Sequence, residues 1–185
     1  MENVDATRRR DEIRAARQAP RVMPPRGARG DTPPPRTANS ETDVLRGFLD
    51  YLRASIAAKV GGAPEPQVRT PMVDSGTSLL GLLGHLVAVE SATFLGERVT
   101  DWRATFRPDP EDGVADVVAR YLATVERANR VLDECADLGA PLPRPGRSGP
   151  APSVRWALTH LIEETARHAG HADILRELAD GSTGR

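Results

Sequence analysis

Cysteine occurs once in these 185 residues, at Cys135, so no intrachain disulfide framework can form. A single thiol fits a reducing compartment better than a secreted chain. Net charge is also scarce, at −1, which gives no global pull toward nucleic acid or anionic lipid. No apolar run approaches the roughly 20 residues needed to cross a bilayer. The basic N-terminus lacks the apolar stretch of a secretion signal. Glu2, Asp5, Asp11 and Glu12 interrupt the acid-poor pattern of a transit peptide. The expected location is the cytoplasm. Cys135 itself is read as an ordinary residue of an amphipathic helix, since nothing beside it is built to lower its pKa.

Residues 1–39 are rich in Arg, Pro and Gly and poor in apolar side chains. They cannot bury enough surface to offset the entropy of ordering and are expected to form a disordered tail. From Ser40 the pattern turns helical. "SETDVLRGFLDYLRASIAAKV" opens with Ser40 and Asp43 at capping-box spacing and carries Leu45, Phe48, Leu49, Leu52 and Ile56 on one stripe, ending at Gly61-Gly62. A second helix is expected from a Thr77 or Ser78 cap to about Val99, a third over 113–138 and a fourth from Ser153 to about Ala179, stopped by Gly181. No segment alternates as a strand does. Four amphipathic helices predict an all-α, antiparallel four-helix bundle in a single domain, residues 40–185. The links are long for neighbouring helices, so they are expected to cross an end of the bundle or to form a lid.

Of only four histidines, three fall in "HLIEETARHAGH": His160, His168 and His171. Residues four apart share a helix face, so Glu164 and His168 can point at one ion. At about 100° per residue, His168 falls in the stripe of Leu161, Ala172 and Leu175, with Glu164 at its edge and Glu163 facing away. The same test on the second helix turns His85 inward beside Leu82, Val89 and Ala92. Two imidazoles and one carboxylate then project into the bundle from two helices. A buried carboxylate is costly unless it is paired or ligates a metal. Imidazole and carboxylate suit zinc or nickel, and three protein ligands leave a position open for water or substrate. The competing account is a buried Glu–His hydrogen bond, with His160 and His171 at the rim.

"SVRWALTHLIEETARHAGHADILRELADGSTGR", with "SGTSLLGLLGHLVAVE" and "VLRGFLDYLRASI", resembles the DinB-like superfamily of four-helix metal-binding bundles. The branch it is most similar to is the actinobacterial one around mycothiol-dependent maleylpyruvate isomerases and mycothiol S-transferases. The resemblance covers about residues 41–185. It places the metal ligands at His85, Glu164 and His168. His171, where many relatives carry glutamine, is implied to line the pocket or support a ligand, and His160 to sit at the rim. Relatives often have an aromatic pair after the glutamate of the second helix; "VESATFLGERV" keeps only Phe94, which alters the expected pocket wall.

What the resemblance implies is a divalent ion, zinc first and nickel second, that activates a low-molecular-weight thiol for transfer to a small electrophile. A metal-bound thiol is deprotonated, and the thiolate is the nucleophile. With no cysteine in the triad, the sulfur must come from a cosubstrate, which this branch implies is mycothiol. Arg155 and Arg176 could meet an acidic group of it, and Asp173 and Glu90 could orient the ligand imidazoles; surface ion pairs are the plain alternative. The rival functions are a metal-assisted hydrolase or isomerase without thiol, and a non-catalytic metal-binding module of a stress response. The expected partner is a small molecule, with no nucleic acid or membrane. A homodimer is compatible with such a bundle, although no interface stripe stands out.

Overall fold

The computed structural model describes residues 40–143 and 150–183, together with 33, 34, 36 and 37. The disordered tail expected over 1–39 otherwise lies outside the described residues. Four α-helices form the fold: α1 (Glu41–Gly61), α2 (Leu79–Phe94), α3 (Val114–Asp133) and α4 (Val154–Asp180). Their starts follow from capping chemistry. Ser40 Oγ accepts the Asp43 N–H, Ser78 Oγ that of Gly81, and Ser153 Oγ that of Trp156. Each such cap satisfies a backbone donor the helix leaves free and contributes about 1 kcal/mol. At the start of α3 the Asp116 carboxylate accepts the Gly113 N–H instead. Gly181, at φ 78°, ends α4.

Two helices stop short of their expected ends. α2 closes at Phe94 and not near Val99, because Gly96 takes a left-handed conformation (φ 72°) and the Leu95 and Glu97 amides both turn back to Ser91 O. α3 closes at Asp133 and not near 138, which leaves Cys135 beyond the helix. Leu138 folds inward to bury its side chain, and its carbonyl accepts the Arg155 N–H at 2.8 Å. The chain here pairs with the start of α4, with an isolated bridge between Pro141 and Ser153. No strand forms among the described residues.

The core divides into two apolar clusters, and their membership gives the helix directions. One joins Ile56 and Val60 of α1, Leu79–Leu86 of α2, Val117 and Tyr121 of α3, and Ala169–Leu175 of α4. The other joins Leu49, Val89 and Phe94, Ala128 and Leu132, and Val154–Leu161. Hence α1 and α4 run one way, and α2 and α3 the other. Antiparallel packing holds for α1/α2, α1/α3 and α2/α4, whereas α1 packs parallel to α4 and the consecutive helices α2 and α3 also lie parallel. That parallel step requires the 95–113 connection to travel back along the bundle. It includes a 3₁₀ turn, Ala104–Phe106. Two glycines of α2 let it lie close: a Cβ on Gly81 would meet Phe106 O at 2.3 Å, and one on Gly84 would meet Thr105 O at 3.2 Å.

Between the two clusters the bundle has a polar waist. On one side Arg53 of α1 makes a bidentate pair with Glu90 of α2 (2.6 and 2.7 Å) and also donates to Asp50 and Asn129. Arg53 is 2% exposed and Glu90 fully buried. The other side of the waist holds His85, Glu164 and His168.

Candidate metal centre

His85 projects from α2, and Glu164 and His168 project one turn apart from α4. These helices cross between the two apolar clusters, so the three side chains converge where neither cluster fills the space. Both imidazoles are buried, at 6% and 7% exposure, and Glu164 is half-buried. One nitrogen or oxygen from each residue lies within 4.8 Å of the other two. Glu164 Oε1 stands 3.7 Å from Nε2 of His85 and 3.7 Å from Nε2 of His168. That spacing is too long for a hydrogen bond. Tetrahedral zinc, with nitrogen and oxygen ligands at about 2.0–2.2 Å, sets neighbouring ligands about 3.4 Å apart. The donor types and their separation therefore fit a divalent ion better than the internally hydrogen-bonded Glu–His pair.

The electrostatics favour neutral imidazole, the form that ligates metal. Burial, with the neighbouring His168 adding to it, pushes His85 down to about 4 against the pull of Glu164. Burial likewise holds His168 below its ordinary value, with Glu164 opposing and His171 and Arg167 assisting.

The 95–113 connection closes one side of His85. Phe106 stacks on its ring (centroids 3.9 Å apart, planes 11° apart), and Trp102 meets it edge-on at 5.9 Å. Thr105 Oγ1 lies 2.7 Å from His85 Nδ1. The open side of His85 and Glu164 faces a cleft of about 890 Å³. Its walls include Val89, Leu142, Pro152, Trp102, Trp156 and His160, and Arg98 stands at its rim. Trp102 and Trp156, the chain's two tryptophans, are both exposed, at 40% and 50%.

The remaining sequence candidates are placed as follows. His160 stacks on Trp156 (4.8 Å, 28°) and lines the cleft beside Glu164. His171 is exposed, its ring 6.1 Å from that of His168. Asp173 pairs with Lys59 at 2.9 Å, and Arg155 with Glu41 through two bonds of 2.9 and 3.2 Å. Arg176 holds Asp180 and Lys59 O. Glu90 faces Arg53, not an imidazole. Cys135 donates to Val131 O, and burial, then Glu134, pushes its thiol up, away from thiolate character. Trp102, Thr105 and Phe106 were not singled out in the sequence. They lie in a connection without periodicity, and only the Gly-x-x-Gly spacing in "LLGLLGH" hints that something packs against that face of α2.

The chain is thus an all-α four-helix protein in which a His–Glu–His cluster able to hold a metal ion opens on a cleft. The family model described as mycothiol S-transferase, a DinB-like branch, matches residues 44–181, and the chain belongs to that family. No curated protein matches the chain. Among the described residues no helix is long and apolar enough to cross a membrane.

Proposed function

We propose that the chain is a metal-dependent S-transferase in which His85, Glu164 and His168 hold a divalent ion, zinc by preference, and a thiol of the mycothiol type is the sulfur donor. The observation that carries the reading is Glu164 Oε1 equidistant from two Nε2 atoms at 3.7 Å, beside an open cleft. A divalent ion there would supply Lewis acidity, lowering the pKa of a thiol so that the thiolate is present at neutral pH. The protein's part is to orient and enclose. Phe106 and Thr105 fix the His85 ring, and the exposed faces of Trp102 and Trp156 offer flat apolar walls to a second substrate. The cleft volume falls in the range of small-molecule sites and leaves room beyond the reacting sulfur. Cys135, its thiol pushed up and bonded to Val131 O, is not the nucleophile. The reaction needs a reducing, cytoplasmic setting where a small thiol is abundant.

The test is conjugation of monochlorobimane by zinc-loaded protein with mycothiol added or withheld. In this reaction the thiolate displaces chloride, a C–S bond forms and the thiol proton leaves to buffer. A fluorescent conjugate that needs mycothiol, and that falls at least about 100-fold in His168→Ala, is expected. Hydrolysis of bimane or ester substrates at equal rate without thiol would instead favour the thiol-free hydrolase.

A further inference from the structure

We infer that Thr105 is a positioning residue that fixes the tautomer of His85, placing the proton on Nδ1 and the free lone pair on Nε2, toward Glu164. A threonine hydroxyl has one hydrogen. Thr105 Oγ1 lies 2.6 Å from Trp102 O, and a carbonyl oxygen can only accept, so the hydrogen is committed there. Toward His85 Nδ1, at 2.7 Å, the same oxygen can therefore only accept. Nδ1 must be the donor. In water, neutral histidine prefers the opposite tautomer, so the hydroxyl works against an intrinsic bias.

The consequence appears at the other side of the ring. Nε2 then presents a lone pair to the carboxylate oxygen of Glu164 at 3.7 Å, two acceptors facing each other across a gap that a cation would bridge. His168 is treated differently. Its Nδ1 is buried and has no hydrogen-bond partner among the described residues. His85 is thus the imidazole whose orientation the fold specifies in advance. The specification comes from the 95–113 connection, which Gly81 and Gly84 allow to approach α2 and which also stacks Phe106 on the ring. Groups that hold the far nitrogen of a ligating histidine typically change metal affinity by 10–100-fold.

The inference rests on the proposed metal site for its effect on affinity, whereas the tautomer is independent of any metal. It is tested on the full ¹⁵N-labelled chain. In the metal-free protein the His85 resonances, identified by their loss in His85→Gln, should show a protonated Nδ1 and an unprotonated Nε2 in wild type and Thr105→Ser. Thr105→Val should shift toward the Nε2-protonated form. Zinc competition against a chromophoric chelator should show Thr105→Val weaker by about 10–100-fold, with Thr105→Ser restoring affinity to within about threefold. An Nε2-protonated His85 in wild type would overturn the inference without any variant. Equal zinc affinity in Thr105→Val would overturn its consequence for the metal. Failure of wild type to take zinc at all, with the Nδ1 proton in place, would overturn the metal reading and leave the hold of Thr105 on the ring standing.

Discussion

At the scale of single residues, burial keeps the two imidazoles of the proposed centre uncharged at neutral pH. His85 ordinarily titrates near 6.5 in an unfolded chain but at about 4 here. Between those values the unfolded chain binds more protons, so the stability of the metal-free fold rises with pH there. It is lost as pH falls from about 6.5 toward 4, and His168, shifted the same way, adds to the loss. Urea midpoints of metal-free protein should therefore drop steadily across this interval, and His85→Gln should flatten the dependence. An equally steep profile in that variant would show that other groups control it. The inward residues were legible in the sequence because 3.6-residue periodicity reports which way a helical side chain points. Periodicity says nothing of what arrives from elsewhere. Glu90 is inward as a supporting group would be, yet Arg53 reaches it first from α1. Thr105 and Phe106 follow no period, so their hold on His85 was not legible.

At the scale of elements, the contact between α2 and the 95–113 connection decides whether His85 is held. Gly81→Ala places a methyl group 2.3 Å from Phe106 O, a backbone atom that cannot step aside without moving the turn. The expected cost is about 3 kcal/mol or more in urea unfolding, accompanied by weaker zinc binding. Gly170→Ala is the internal comparison. It lies in α4 with nothing within 4 Å of the added carbon, so it should stabilise by about 0.5–1 kcal/mol. Equal effects at the two positions would mean that helix propensity, not the connection, governs Gly81. The helix starts were legible from Ser40, Ser78 and Ser153, since a hydroxyl cap is a local signal. The ends of α2 and α3 were not. A glycine at φ 72° and the inward fold of Leu138 depend on tertiary partners that a single segment does not announce.

At the scale of the whole molecule, the bundle carries polar groups through its waist, and each set ties helices together. Arg53 and Glu90 join α1 to α2, with Asn129 of α3 completing the guanidinium's bonds. Glu90→Leu would leave Nε and Nη2 of the buried Arg53 without acceptors, Asp50 and Asn129 holding only Nη1, and is expected to cost about 3–5 kcal/mol, read as a lower denaturant midpoint. A change under about 1 kcal/mol would show that water reaches Arg53. The four-helix class was legible from amphipathic segments and their links. The parallel course of α2 and α3 was not, because length alone does not say whether a connection turns back or travels the bundle.

The proposed ion would join α2 to α4 through His85, Glu164 and His168, and its presence is the claim on which the proposed function depends. Free zinc at 100 times its dissociation constant would stabilise the fold by about 2.7 kcal/mol. For a chain of this size that raises Tm by about 5–10 °C. The direct measurement is elemental analysis of zinc-incubated, desalted wild type beside Glu164→Ala and His168→Ala. The account predicts about one zinc per chain in wild type and far less in both variants, with the rise in Tm following the metal. Wild type as empty as the variants, or variants that retain zinc in full, would contradict it.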